Sequence, residues 1–184
     1  MKKYHIIYAD PPWRYSFSNT KNRKIENHYD TMTLEDIKNI DVPSDKNCIL
    51  YLWATAPKLL EALSVMESWG FTYKTQAIWD KEIIGMGYWW RGQHEILMVG
   101  VKGKMSPPLQ CNRESSIYRE KRTRHSKKPQ HYKDFIELSF PFLDKLEMFS
   151  REKTEGWDVW GNEVECDIEL QSQLKDQKDK NDRT

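Results

Sequence analysis

Apolar positions along this chain fall into short runs separated by polar stretches, and their period switches between that of strands and that of helices. Residues 4–9 open the pattern: Ile6-Ile7-Tyr8-Ala9 is a continuous apolar run of strand length and predicts a buried strand. Residues 48–53, 71–79 and 94–101 predict three more, and 146–149 and 157–160 two short ones. Helical signals lie between them. Thr33-Leu34-Glu35-Asp36 resembles a capping box and opens a short helix to about residue 40. Pro57 suits a first helical position, residues 58–69 keep helical periodicity, and Gly70 closes them. Pro129 opens a last helix to about residue 140, where Pro141 stops it. Strands alternating with helices predict an α/β layered domain.

The connections carry their own chemistry. Residues 14–30 form a long polar loop containing Arg14, Lys21, Arg23 and Lys24, and long loops in compact domains are usually functional or disordered. Residues 85–92 form a glycine-hinged loop with Tyr88, Trp89, Trp90 and Arg91. Residues 103–115 read as loop, and residues 119–128 hold six Lys/Arg against one Glu. A single domain over 1–164 is expected, with 165–184 a charged, Gln-rich tail that reads as disordered or as a frayed helix.

Composition adds limits. Aromatics make up 12% of the chain and there are eight tryptophans, enough for a real core. The formal net charge is only +1, so any basic footprint must be local. No apolar run approaches membrane-spanning length, and the Met-Lys-Lys start lacks a signal-peptide core. Cys48, Cys111 and Cys166 form neither a metal pattern nor a disulfide framework. These features predict a cytoplasmic protein with no membrane partner and no metal site.

The sharpest chemical signal is Asp10-Pro11-Pro12-Trp13, directly after the first predicted strand. In open α/β sheets ligands bind at the C-terminal ends of strands. The prolines fix φ and lack backbone donors, so the stretch is stiff and its carbonyls are free to accept. With the Asp10 carboxylate and a flat indole beside them, these acceptors suit the exocyclic amine of a planar heterocycle such as adenine. A strand followed by a Pro-Pro turn, with Trp13 packed in the core, is the plainer reading.

The tetrapeptide resembles the amino-methyltransferase motif of Asp, Asn or Ser, then Pro-Pro, then an aromatic. It matches the D-P-P-W form found in the MT-A70 family. Members methylate adenine N6 with S-adenosylmethionine, and their motif order is permuted, catalytic motif first and cofactor motif last. Three later segments resemble the family's remaining motifs in order: His125-Ser126-Lys127-Lys128-Pro129, Lys145-Leu146-Glu147-Met148-Phe149-Ser150-Arg151, and Gly156-Trp157-Asp158-Val159-Trp160-Gly161-Asn162-Glu163. Met148 and Ser150 depart slightly from the usual residues. The resemblance runs from about residue 4 to 164 and is strongest to small bacterial and phage members.

It implies a Rossmann-like methyltransferase whose mixed, mostly parallel sheet is flanked by helices. Asp10, Ser126, Lys128, Phe149, Arg151, Asn162 and Glu163 are its expected cofactor contacts. Lys128, before a Pro-initiated helix, suits the cofactor carboxylate, and an acidic side chain at Glu163 suits ribose hydroxyls. Asp10 and a proline carbonyl, that of Pro11, are expected to accept the N6 hydrogens, within a catalytic set Asp10, Pro11, Pro12 and Trp13. Trp13 is expected to stack on the base. Tyr29, Trp90, Arg91 and Glu95 are candidate base contacts, and Arg14, Arg119, Arg122 and Arg124 candidate phosphate contacts. Taken singly, each has an ordinary reading as loop anchor, surface charge or solvated basic face. DNA is the expected partner, ahead of RNA, with a homodimer or partner subunit possible in principle. A catalytically silent nucleic-acid-binding subunit and a small-molecule amino-methyltransferase are the competing readings.

Overall fold

A computed structural model of the protein describes residues 2–15, 31–123 and 127–170. Seven strands build one sheet: β1 (Tyr4–Ala9), β2 (Ser44–Ala54), β3 (Thr72–Asp80), β4 (His94–Lys102), β5 (Ile117–Arg119), β6 (Lys145–Met148) and β7 (Asp158–Trp160). Their order across the sheet is β5-β3-β4-β2-β1-β6-β7. The pairs β1–β2, β1–β6, β6–β7 and β3–β5 are parallel, and β4 alone runs against its neighbours β2 and β3. The sheet is therefore mixed and mostly parallel. Because β4 is reversed, its first residues stand at the same edge as the last residues of β1, β2 and β3.

Helices cover both faces. On one side α1 (Leu34–Lys38) and α2 (Leu59–Ser68) pack Ile37, Ala62, Val65 and Met66 against Ile7, Ala9, Leu50 and Leu52. On the other, α3 (His131–Ser139) sets Tyr132 and Ile136 against Ile6, Tyr8, Tyr51 and Trp53. Successive β1 residues thus serve opposite cores, which is why that strand reads as an unbroken apolar run. Fully burying each such side chain is worth about 1.5–3 kcal/mol. β1 is in this way fixed at the centre of the sheet, and whatever follows Ala9 has a rigid foundation.

Most predicted elements appear within a few residues. Thr33 caps α1 by accepting the Asp36 amide at 3.1 Å. A 3₁₀ turn over Ala56–Lys58, with Pro57 in it, leads into α2. α3 starts at His131, two residues after Pro129. β6 ends one residue earlier than expected because Phe149 takes φ +64°, a left-handed conformation no strand can hold. β5 has no counterpart in the predicted elements: it is three residues long and mostly exposed, too short to show a period. Past residue 164, Asp167 accepts the Val159 amide at 2.9 Å, and Ile168 and Leu170 pack against the core. Residues 171–184 lie outside the described part.

No helix among the described residues is long and apolar enough to cross a membrane. Nor does any group of three His, Cys, Asp or Glu among them have the arrangement to hold a metal ion.

Candidate active site

Asp10 leaves the C-terminal end of β1, its amide bonded to the Met148 carbonyl of β6 at 3.4 Å. The next three residues are tightly tied. The Trp13 amide donates to the Pro11 carbonyl at 2.8 Å, and the Met32 amide to the Pro12 carbonyl at 3.0 Å. The proline carbonyls are thus not free, correcting the reading from sequence; the missing amides stiffen the turn, but its geometry folds each carbonyl onto a later amide. Each keeps one lone pair for a further donor. Trp13 is 6% exposed, with its indole N–H on the Trp53 carbonyl at 3.1 Å. Its ring packs in the core and also lines the cavity.

That cavity has a volume of about 620 Å³. Asp10, Pro11, Pro12 and Trp13 form one part of its wall, Phe149, Arg151, Asn162 and Glu163 another. The two motif regions are more than a hundred residues apart in sequence and meet because β6 pairs directly with β1, and β7 with β6. Two local features shape the second wall. Phe149, at its positive φ, turns the chain out of β6 and sets its ring edge-on to Trp160 at 5.3 Å. The Ser150 amide then bonds the Trp160 carbonyl at 3.0 Å. Gly161 makes this approach possible: a Cβ there would lie 2.0 Å from the Ser150 carbonyl oxygen. Arg151 pairs with Glu163 at 3.4 Å across the mouth.

A row of alternating charges crosses the floor. Lys128 Nζ donates to Asp10 Oδ2 at 2.5 Å and lies 3.4 Å from Glu95 Oε2, while Lys81 Nζ holds Glu95 Oε1 at 3.1 Å. Lys128 also sits over the Trp53 ring, 5.4 Å from its centroid. Lys128 therefore reaches the Asp10 carboxylate, a partner that sequence does not indicate. Burial lifts the Asp10 carboxyl above its usual range, with Lys128 pulling it back down and Glu95 adding to the rise. Burial pushes Glu95 the same way, but Lys128 and Lys81 together outweigh it and hold Glu95 below its usual value. Burial disfavours charge on Lys128, yet Asp10 and Glu95 more than compensate and raise it.

The other candidates divide clearly. Glu95 lines the cavity and is only 15% exposed. Trp90 and Arg91 stand outside it on the β3–β4 loop, Trp90 89% exposed and Arg91 Nε bonded to the Gly85 carbonyl at 3.1 Å. Arg119 contacts Asp80 at 3.3 Å, and Arg14 and Arg122 are exposed. Tyr29, Arg124 and Ser126 lie outside the described residues, as do Lys21, Arg23 and Lys24. Sequence reasoning misses Lys81, Tyr15, Met32, Trp53, Thr55 and Trp160. Trp53 and Thr55 could have been found from the strand-end rule, because β2 ends beside β1. Lys81 needed the β3–β4 register.

An acidic acceptor at one strand end, and a cavity continuing over the ends of two neighbouring strands, give the ligand-site placement typical of Rossmann-like α/β sheets. The chain belongs to the MT-A70 family, whose model matches residues 4–163, and it is a methyltransferase. It is 36% identical to the Type II methyltransferase M.MunI of Mycoplasma sp, across 96% of this chain and 86% of that protein. It is 27% identical to the N(6)-adenosine-methyltransferase catalytic subunit METTL3 of Homo sapiens, covering 89% of this chain but 28% of METTL3. Likeness to the N(6)-adenine-specific methyltransferase METTL4 of Homo sapiens is 29%, over 89% of this chain and 38% of METTL4.

Proposed function

We propose that this chain, as a single methyltransferase domain, transfers the methyl group of S-adenosylmethionine to N6 of adenine in DNA. The observation that carries the proposal is convergence: the Asp10 carboxylate shares one cavity with Phe149, Arg151, Asn162 and Glu163. The donors fit the cofactor. Arg151 suits its carboxylate, Glu163 and Asn162 its hydroxyls, and Phe149 its adenine face, and the close Gly161–Ser150 approach sets these side chains side by side in one wall. When bound, the cofactor supplies an electrophilic methyl group.

Asp10 acts as acceptor and orienter of the amine. N6 is a poor nucleophile because its lone pair is delocalised into the ring. An acceptor for each N6 hydrogen, the Asp10 carboxylate and the remaining lone pair of the Pro11 carbonyl, favours a more tetrahedral nitrogen and stabilises the positive charge that develops there. Lys128 holds the carboxylate in place through its 2.5 Å bond and opposes the burial that lifts its pKa, favouring the ionised form. Glu95 and Lys81 complete the row, so that Lys128 is itself held on two sides. The part of Trp13 that borders the cavity offers a stacking face, worth about 1–3 kcal/mol per base.

DNA is preferred to RNA because the whole-length likeness is to a Type II methyltransferase, which this chain covers over most of its length. Exposed Arg14, Arg119 and Arg122 supply phosphate contacts, and the protein acts in the cytoplasm. The test is nucleoside mass spectrometry after incubating DNA and RNA with methyl-labelled S-adenosylmethionine. Label on N6-methyldeoxyadenosine is the expected result. Label in RNA alone would transfer the chemistry to RNA, and no label in either would refute the proposal.

A further inference from the structure

Large apolar side chains crowd onto one short loop. Between Lys81 and Gln93, Ile84 is 57% exposed, Met86 88%, Trp89 94% and Trp90 89%, with Tyr88 fully exposed. Apolar patches held in water at this density mark interaction sites. The loop is braced for the purpose. The Lys81 amide bonds the Gln93 carbonyl at 2.8 Å and the Gly85 amide the Gly92 carbonyl at 2.9 Å. Asp80, at the foot, accepts from Gln93 Nε2 at 3.0 Å and forms an ion pair with Arg119 at 3.3 Å. At the tip, a Cβ on Gly87 would fall 2.1 Å from the Trp90 carbonyl oxygen, so only glycine allows this tight turn. The result is a short stalk presenting two adjacent indoles.

Its position selects the partner. The loop joins β3 to β4, and the reversal of β4 places it at the sheet edge where the cavity opens. Lys81, at one foot, is bonded to Glu95 in the cavity wall. Exposed Arg91 on the loop, and exposed Lys121 and Arg122 just past β5, outnumber the exposed Glu82 there, which suits phosphate. Indoles next to arginines form a platform for nucleic-acid bases. Five side chains on one loop are far short of the about 20–30 residues a side of a standard protein interface.

We infer that the tip of this loop, through Trp89 and Trp90, stacks on the DNA bases flanking the target adenine. An adenine drawn into the cavity leaves its neighbours with an open face, and the indoles cover it. The inference rests on the proposed action on DNA and adds the element that holds the strand around the target.

The experiment measures binding of a labelled duplex oligonucleotide by fluorescence anisotropy, using the full chain and the double variant Trp89→Ala, Trp90→Ala. Both rings are in solvent, so the fold should survive, and S-adenosylmethionine affinity by calorimetry should stay within about twofold. Duplex affinity should fall about thirtyfold or more, as loss of two base–indole stacks requires. The salt dependence should keep its slope because stacking is not electrostatic. The Trp89→Phe, Trp90→Phe variant should recover much of the binding. Unchanged duplex affinity in the alanine variant would overturn the inference. So would a wild-type dimer that the variant converts to monomers with DNA binding intact, since the tip would then be a contact between copies. If wild type binds the duplex but methylates neither DNA nor RNA, the proposed activity fails while the anisotropy ratio still decides the role of the tip.

Discussion

Gly161→Ala tests the construction of the cofactor wall. The added methyl would sit 2.0 Å from the Ser150 carbonyl oxygen, 2.7 Å from its nitrogen and 2.9 Å from its carbonyl carbon, whereas ordinary contacts begin at 3.4 Å. The two strands of chain must therefore separate by the difference, about 1.4 Å. All three atoms are backbone, so no side chain can swing aside. A separation of that size would break the 3.0 Å bond from the Ser150 amide to the Trp160 carbonyl, and overpacking of this kind costs about 1–3 kcal/mol. At about 2–4 °C per kcal/mol for a chain of this size, the melting temperature should fall visibly without loss of the fold. Phe149, Arg151, Asn162 and Glu163 all lie within two residues of the displaced segments. S-adenosylmethionine affinity should therefore fall at least about tenfold, or ~1.4 kcal/mol, and turnover by as much as about 10²-fold, the scale of a 1 Å misplacement. Calorimetry, a thermal melt and a steady-state methylation assay read the three quantities. Gly92→Ala is the control, because a Cβ there meets nothing within 4 Å. Cofactor affinity within twofold of wild type in Gly161→Ala would refute the argument.

Asp10→Ala should abolish methyl transfer with a melting temperature close to wild type, since the carboxylate faces the cavity; turnover within a few-fold of wild type would make the motif structural only. Lys128→Met removes the main opponent of the burial that lifts Asp10, so if ionised Asp10 orients the amine, the acid limb of the pH–rate profile should move to higher pH. Glu95→Gln removes a charge that raises Asp10 and should move the same limb to lower pH, and shifts in the opposite directions would disprove the coupling. Charge reversal at Arg119, Lys121 and Arg122 should flatten the salt dependence of DNA binding, by about 0.9 in log–log slope for each duplex phosphate no longer neutralised; an unaltered slope would make them ordinary solvated surface. Activity should persist in chelator, and its loss with rescue by one divalent ion would contradict a metal-free mechanism.

What can be read from the chain depends on whether a signal is local. The β1 run and the four residues after it are contiguous, so strand, strand end and acceptor are visible together. Gly156 to Glu163 and Lys145 to Arg151 are legible as motifs for the same reason. The bond from Lys128 to Asp10 spans 118 positions, and no local pattern encodes it. The place of Lys128 before a helix points instead to the cofactor carboxylate. β5 escapes because three mostly exposed residues carry no period. The proline carbonyls are misjudged from sequence because their donors are set by the path of the chain up to Met32, which residue type cannot foretell.

The direction of β4 shows most clearly what sequence cannot supply. Its apolar run is recognisable, but alternation along a strand is the same whichever way the strand points. Had β4 been parallel to β2, its first residues would lie at the far edge of the sheet, and Glu95 would be a surface charge. Reversed, it pairs Trp79 with Glu95 and Asp80 with His94, which brings the β3 end to the β4 start. Lys81 then falls within 3.1 Å of Glu95, and Glu95 within 3.4 Å of Lys128. The same reversal makes the β3–β4 connection a hairpin at the cavity edge. The charge row behind Asp10 and the aromatic tip are thus two consequences of one strand's orientation. A change that shifted the β3–β4 register by one residue should disturb both together, because it would move every side chain of β4 to the opposite face.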